Sequence, residues 1–137
     1  MELMYSVIKR IDFCYGHRLL NYDGVCRHLH GHNAVAEIEV QSGELDSRCM
    51  VCDFKDIKQI VKGWIDETID HRMILHRDDP VARLLQDLGE PVFLVESNPT
   101  AEHIAKVIFD YARSQHLPVK VVRLWETPTS CAAYGEC

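Results

Sequence analysis

Residues 30–41 constrain the fold more than any other part of this chain. The stretch opens on His30-Gly31-His32 and continues with Ala34, Ala36, Ile38 and Val40 on one parity and Glu37, Glu39 and Gln41 on the other. That two-residue period belongs to an extended backbone, so a half-buried strand is expected directly after the histidine pair. Side chains two apart on such a segment share a face, which lets His30 and His32 reach one ion together while Gly31 adds no bulk between them. A catalytic zinc site uses three protein ligands and keeps a fourth position open, so one more imidazole is needed. His17 is the natural third ligand. It follows the alternating segment 5–13, and Asn21, Asp23 and Gly24 supply a turn that folds the chain back toward the pair. His28 shares the parity of the pair one step further back and competes for that place. Any one of these histidines alone reads as an ordinary core or surface side chain; a His-x-His pair with a third imidazole upstream and the Cys26 thiol beside it reads as a metal site.

Composition bounds the setting. The 137 residues, 47% hydrophobic and 26% charged, suit a single domain, residues 1–137, with its own core. A formal charge of −6 and the lack of a Lys/Arg cluster argue against a nucleic-acid partner. No apolar run approaches the roughly 20 residues of a membrane span, and the first ten residues lack a signal-peptide core, so no membrane partner and a cytoplasmic location are expected. The six cysteines, at 14, 26, 49, 52, 131 and 137, read as free thiols. Cys49 and Cys52 have CxxC spacing but no second pair, and two small residues leading into a helix is the favoured reading over a redox pair.

The remaining elements follow from periodicity. Tyr5, Val7, Lys9, Ile11 and Phe13 alternate with Ser6, Ile8, Arg10 and Asp12 as a first strand, and residues 43–47 form the turn after the second. Asp53 is placed to cap a helix over residues 54–69, with Ile57, Ile60, Val61, Trp64, Ile65 and Thr68 as its apolar stripe. Thr100 is placed to cap a second, carrying Ile104, Val107, Ile108 and Tyr111 and stopped at Leu117-Pro118. Residues 119–126 are a β-branched closing strand and 128–137 a tail of turns. The expected class is α+β: a small antiparallel four-stranded sheet with two helices on one face. Such a sheet has two open edges, which neighbouring subunits can pair until it closes into a barrel, so a homo-oligomer is expected.

Phe13 with His17-Arg18-Leu19, Cys26-x-x-x-His30-Gly31-His32-Asn33, Val51-x-Asp53-Phe54, Asp70-His71, Asn98-Pro99-Thr100-x-Glu102 and Trp125-Glu126-Thr127 together resemble the 6-pyruvoyl-tetrahydropterin synthase family over nearly the whole chain. The Cys-x3-His-Gly-His spacing is more similar to the bacterial 6-carboxy-5,6,7,8-tetrahydropterin synthases of queuosine biosynthesis than to the animal pyruvoyl enzymes. The resemblance implies a tunnelling fold (T-fold), assembled as a hexamer of two trimers with active sites between subunits. It implies zinc on His17, His30 and His32; Cys26 as general base; Asp70 and His71 as a partner dyad; Glu126 as the anchor of a pterin; and Thr100 and Glu102 beside the pterin ring. The implied reaction turns 7,8-dihydroneopterin triphosphate into 6-carboxy-5,6,7,8-tetrahydropterin with release of acetaldehyde and triphosphate. Related readings keep the same site for 6-pyruvoyltetrahydropterin formation or aldolase-type cleavage, and a non-catalytic zinc-binding oligomer is a reading of another class. For Asp70-His71 a cap or surface pair, for Glu126 a strand-end charge, and for Thr100 and Glu102 a helix cap and first-turn acid are the ordinary alternatives. Two stretches depart from the family pattern. Cys14-Tyr15-Gly16 stands where small residues usually precede the first ligand, so Tyr15 either reshapes the pocket floor or points away from it. Residues 73–95 are longer than usual, with a turn at Asp78-Asp79-Pro80 and a short helix over 81–88.

Overall fold

A computed structural model describes residues 2–136; Met1 and Cys137 lie outside the described residues. Strands β1 (Tyr5–His17) and β2 (His30–Ser42) form a long antiparallel hairpin, paired without interruption from Tyr5 opposite Ser42 to His17 opposite His30. Strand one therefore runs four residues past Phe13, and strand two includes the histidine pair rather than following it. A one-turn 3-10 helix, Val25–Arg27, lies in the connection.

The helical stretch over residues 54–68 is continuous: α1 (Phe54–Ile57), a π-helical turn (Lys58–Lys62) and α2 (Gly63–Thr68). Asp53 caps it as expected, accepting the Lys55 N–H at 2.9 Å. Strand β3 (Arg72–His76) follows, then α3 (Pro80–Asp87), β4 (Val92–Val95), α4 (Ala101–Ser114), β5 (Val119–Thr127) and β6 (Ser130–Gly135). The sheet order is β4-β3-β1-β2-β5-β6, with β3 parallel to both β1 and β4 and the other pairs antiparallel. The α+β class holds, but the sheet is mixed and six-stranded rather than antiparallel and four-stranded. The added length of residues 73–95 is a β3-α3-β4 unit whose short strands carry too few residues to show a period. The expected tail of turns is β6, whose Ser130, Cys131, Ala132 and Ala133 have little intrinsic strand preference and pair because β5 offers an open edge.

The hydrophobic core lies between one sheet face and the helices. Ile11, Phe13, Tyr15, Ala34, Ala36, Ile38, Val40, Val122 and Leu124 meet Ile57, Val61 and Ile65 from the first helix and Ile104, Ile108 and Ala112 from α4. The opposite face carries a charge ladder in which Arg123 reaches Glu39 at 2.8 Å and Glu37 at 3.4 Å, and Arg10 reaches Glu37 at 2.5 Å. None of the described helices is long and apolar enough to cross a membrane. The five described cysteines are free thiols.

One buried ion pair ties the loop after His17 to α3. The Arg18 guanidinium grips Asp79 through Nε at 2.7 Å and Nη2 at 2.5 Å, and Asp79 also accepts the Val81 N–H as the cap of α3. Burial alone would raise the Asp79 carboxyl's pKa; Arg18 and the Val81 N–H outweigh it and hold it below the usual carboxylate range. Such a depressed group adds stability above its unfolded value of about 3.9, lost as the pH falls through its folded value. Asp79→Asn is expected to lower unfolding free energy by about 2–3 kcal/mol at pH 7, toward the lower end for a broken buried pair because Arg18 keeps some solvent. Urea titrations at pH 7 and below 4 check this, the gap to wild type narrowing at the lower pH.

Candidate metal centre

The hairpin register builds the centre. His17 lies directly opposite His30, and Tyr15 opposite His32, while the two-residue period turns all four side chains to the core-facing side. Nitrogens of His17, His30 and His32 lie within 4.8 Å of one another. The rings surround a common point, with centroids 4.5, 5.1 and 5.0 Å apart and steep mutual angles.

The hydrogen bonds of the rings decide which nitrogens face that point. His17 Nδ1 donates to the Pro99 carbonyl at 2.6 Å, and His30 Nδ1 donates to the His28 carbonyl at 2.7 Å. A carbonyl only accepts, so these rings carry their proton on Nδ1 and present an Nε2 lone pair. All three Nε2 atoms are buried and have no hydrogen-bond partner. Leaving one buried ring nitrogen unsatisfied costs on the order of 1–3 kcal/mol, so three converging on one point fit a bound cation. Burial pushes the His17 pKa down, aided by the other two imidazoles and opposed by the Pro99 carbonyl and Glu126; the ring stays neutral, as a ligand must. The donor set suits zinc, with the Pro99 and His28 carbonyls fixing the orientation of two of the rings.

The Glu126 carboxylate borders the triad. Its Oε1 is 3.7 Å from His17 Nε2 and its Oε2 is 3.8 Å from His32 Nε2. Tyr15 points into the site, resolving its two options, and its hydroxyl donates to Glu126 Oε1 at 2.7 Å. Burial, then the hydrogen bond to and charge of Glu126, push the Tyr15 pKa up, so the phenol remains a donor throughout the working range. Cys26 is half-buried on the turn before β2, its carbonyl accepting the Leu19 N–H at 2.9 Å, and it is not part of the ligand group. His28 is exposed and contributes only its carbonyl.

Asp70 and His71 pair with each other, Nδ1 to Oδ2 at 3.0 Å, but beside Cys14 rather than beside the triad. Cys14 N–H donates to Asp70 Oδ1 at 3.0 Å, and the Cys14 carbonyl accepts the His71 N–H at 2.7 Å. Burial would raise the Asp70 carboxyl, but the Cys14 N–H and His71 hold it below its ordinary value. His71 adopts a left-handed φ of 60°, uncommon for a residue with a Cβ, and its side chain is 77% exposed. Because Cys14 alternates with Tyr15, this dyad belongs to the other face of the sheet. Thr100 caps α4, accepting the His103 N–H at 3.1 Å, and Glu102 is exposed in its first turn.

Sequence reasoning missed the supports of the centre. Pro99 orients His17, and Asn98 clamps Leu20 through both its amide oxygen, at 2.8 Å, and its amide nitrogen, at 2.9 Å. Their adjacency to Thr100 was the available signal; contact with a loop some eighty residues away was not.

A family profile described as 6-pyruvoyl tetrahydropterin synthase matches residues 6–137. The chain is 39% identical to the 6-carboxy-5,6,7,8-tetrahydropterin synthase of Haemophilus influenzae over 97% of this chain and 100% of that one. Among solved structures, an uncharacterized protein from Wolinella succinogenes superposes with a TM-score of 0.82 at 29% identity over 97% of this chain and 98% of that one. The Caenorhabditis elegans 6-pyruvoyl tetrahydropterin synthase superposes with a TM-score of 0.72 at 22% identity over 98% and 97%, and so shares the fold.

Replacing His17, His30 or His32 by Ala is expected to weaken Zn2+ binding by more than about a hundredfold, beyond the loss that outer-shell changes cause, whereas His28→Ala leaves it intact. Because a ligating imidazole must be deprotonated and burial holds the His17 pKa below the ordinary imidazole value, wild-type affinity should also fall as the pH drops into the range where His17 protonates. Competition with a chromophoric chelator measures both.

Proposed function

The chain belongs to the 6-pyruvoyl tetrahydropterin synthase family, and on that premise we propose that it is a lyase converting 7,8-dihydroneopterin triphosphate and one water to 6-carboxy-5,6,7,8-tetrahydropterin, acetaldehyde and triphosphate. The observation that carries this reading is the convergence of three unpartnered Nε2 atoms beside a half-buried carboxylate, in a chain so similar to a 6-carboxy-5,6,7,8-tetrahydropterin synthase. The reaction belongs to the cytoplasm and to queuosine biosynthesis.

His17, His30 and His32 would hold a zinc ion, which when bound would supply Lewis-acid chemistry that acidifies the substrate side chain. Cys26, on the turn leading into the triad, takes a proton from that side chain as the general base. Glu126 accepts hydrogen bonds from the amino-pyrimidine edge of the pterin, a planar match for a carboxylate. Thr100 and Glu102, at the start of α4, flank the ring.

Asp70 orients His71 for proton transfer. Since the pair lies on the other sheet face, it serves the triad of a neighbouring subunit. That arrangement requires a homo-oligomer, a hexamer built as a dimer of trimers, with the open edges at β4 and β6 paired between chains.

Mass spectrometry of products from zinc-loaded protein and 7,8-dihydroneopterin triphosphate tests the reading. Carboxytetrahydropterin with acetaldehyde is the expected result; a pyruvoyl or aldolase product would overturn the assigned reaction while keeping the pterin site. Unchanged substrate with zinc bound would leave a binding role instead. Cys26→Ala is expected to keep its zinc and lose about 10²–10⁴-fold in turnover, the usual worth of a general base. Loss of metal would make Cys26 a ligand.

A further inference from the structure

Tyr15 is the one large side chain in the centre to which the proposed reaction gives no task. It is 3% exposed, and its ring is held on three sides: stacked on Phe13 at 5.5 Å, edge-on to His17 at 5.1 Å and tilted against His32 at 5.7 Å. A ring so enclosed cannot swing, so its hydroxyl is a fixed donor, aimed at Glu126 Oε1 from 2.7 Å.

Glu126 is close to becoming a metal ligand. Zinc bonds to nitrogen and oxygen of about 2.0–2.2 Å place neighbouring donors of a tetrahedral site about 3.4 Å apart. The carboxylate oxygens already stand 3.7 and 3.8 Å from two of the three Nε2 atoms. A shift of a few tenths of an ångström toward the triad would let the carboxylate fill the fourth position, and a site with four protein ligands is structural, closed to substrate. The imidazoles that Glu126 approaches, His17 and His32, are the two that Tyr15 also touches. The hydroxyl bond instead fixes Glu126 Oε1 at its 3.7 Å distance from His17 Nε2, a few tenths of an ångström beyond the spacing of two ligands on one ion.

We infer that Tyr15 is a positioning residue that keeps Glu126 out of the metal's coordination sphere, preserving an open fourth position and leaving Glu126 Oε2 for the ligand. The inference rests on the reading that the histidine triad holds a metal, and concerns only residues of this chain.

Full-length apo-protein titrated with Co2+ alone, without any pterin, tests it through the visible absorption bands and through affinity by chelator competition. Tyr15→Phe keeps the ring and removes only the hydroxyl. It is expected to bind Co2+ about tenfold or more tightly than wild type, the scale of outer-shell effects on metal affinity, with altered bands reporting a new oxygen ligand. Glu126→Gln should bind Co2+ like wild type, and the Tyr15→Phe/Glu126→Gln double variant should return to the wild-type affinity and spectrum. A Tyr15→Phe protein with unchanged affinity and bands would overturn the inference. Weaker binding in both single variants would also overturn it, because Tyr15 would then be orienting Glu126 as a ligand. Wild type that takes up no Co2+ would sink the metal reading and this inference together, whereas normal uptake with an unresponsive Tyr15→Phe sinks the inference alone.

Discussion

The register of β1 against β2 is the constraint on which everything else in this protein depends. Thirteen residues of each strand pair without a bulge, which sets His17 opposite His30 and Tyr15 opposite His32. A slip of one residue would turn His30 and His32, together with Ala34, Ala36, Ile38 and Val40, to the solvent face. Core packing and the geometry of the histidine triad are therefore specified by the same alignment. The buried aliphatic residues that secure the register are what hold three imidazoles at a common point against their unsatisfied Nε2 atoms.

Around that hairpin the fold supplies restraints rather than further ligands. The Pro99 carbonyl sets the His17 tautomer, Asn98 and the Arg18–Asp79 pair fasten the loop that leaves His17, and the Tyr15 hydroxyl holds Glu126. Each is a directional bond in a partly or wholly water-free setting, where geometry is held more strictly than at the surface. Without a bound cation the three buried Nε2 atoms stay unpartnered, which is a cost to folding stability.

The two faces of the sheet have separate chemistry. The core-facing side carries the triad, Tyr15 and Glu126, and the other carries Cys14, Asp70 and His71, with His71 held at a left-handed φ where strain is tolerated because the Cys14 carbonyl anchors its N–H. Strand alternation places Cys14 and Tyr15 on opposite sides, so one chain does not unite dyad and triad.

What was legible in the amino-acid sequence was local. The period of two in residues 30–41 put His30 and His32 on one face, the period of 3.6 with Asp53 and Thr100 marked two helices, and spacing offered His17, with His28 competing, as the third imidazole. These patterns are legible because a strand or helix repeats within a few residues. Strands β3, β4 and β6 were not legible: they are short, and for β6 small-residued, and exist because a longer neighbour offers them an edge. Nor were the bonds that finish the centre. Tyr15 and Glu126 are 111 positions apart, and His17 and Pro99 are 82 apart. Only the closed chain brings such pairs together, because no period or spacing encodes a contact whose partners meet through the stacking of α4 and β5 against a hairpin formed far earlier.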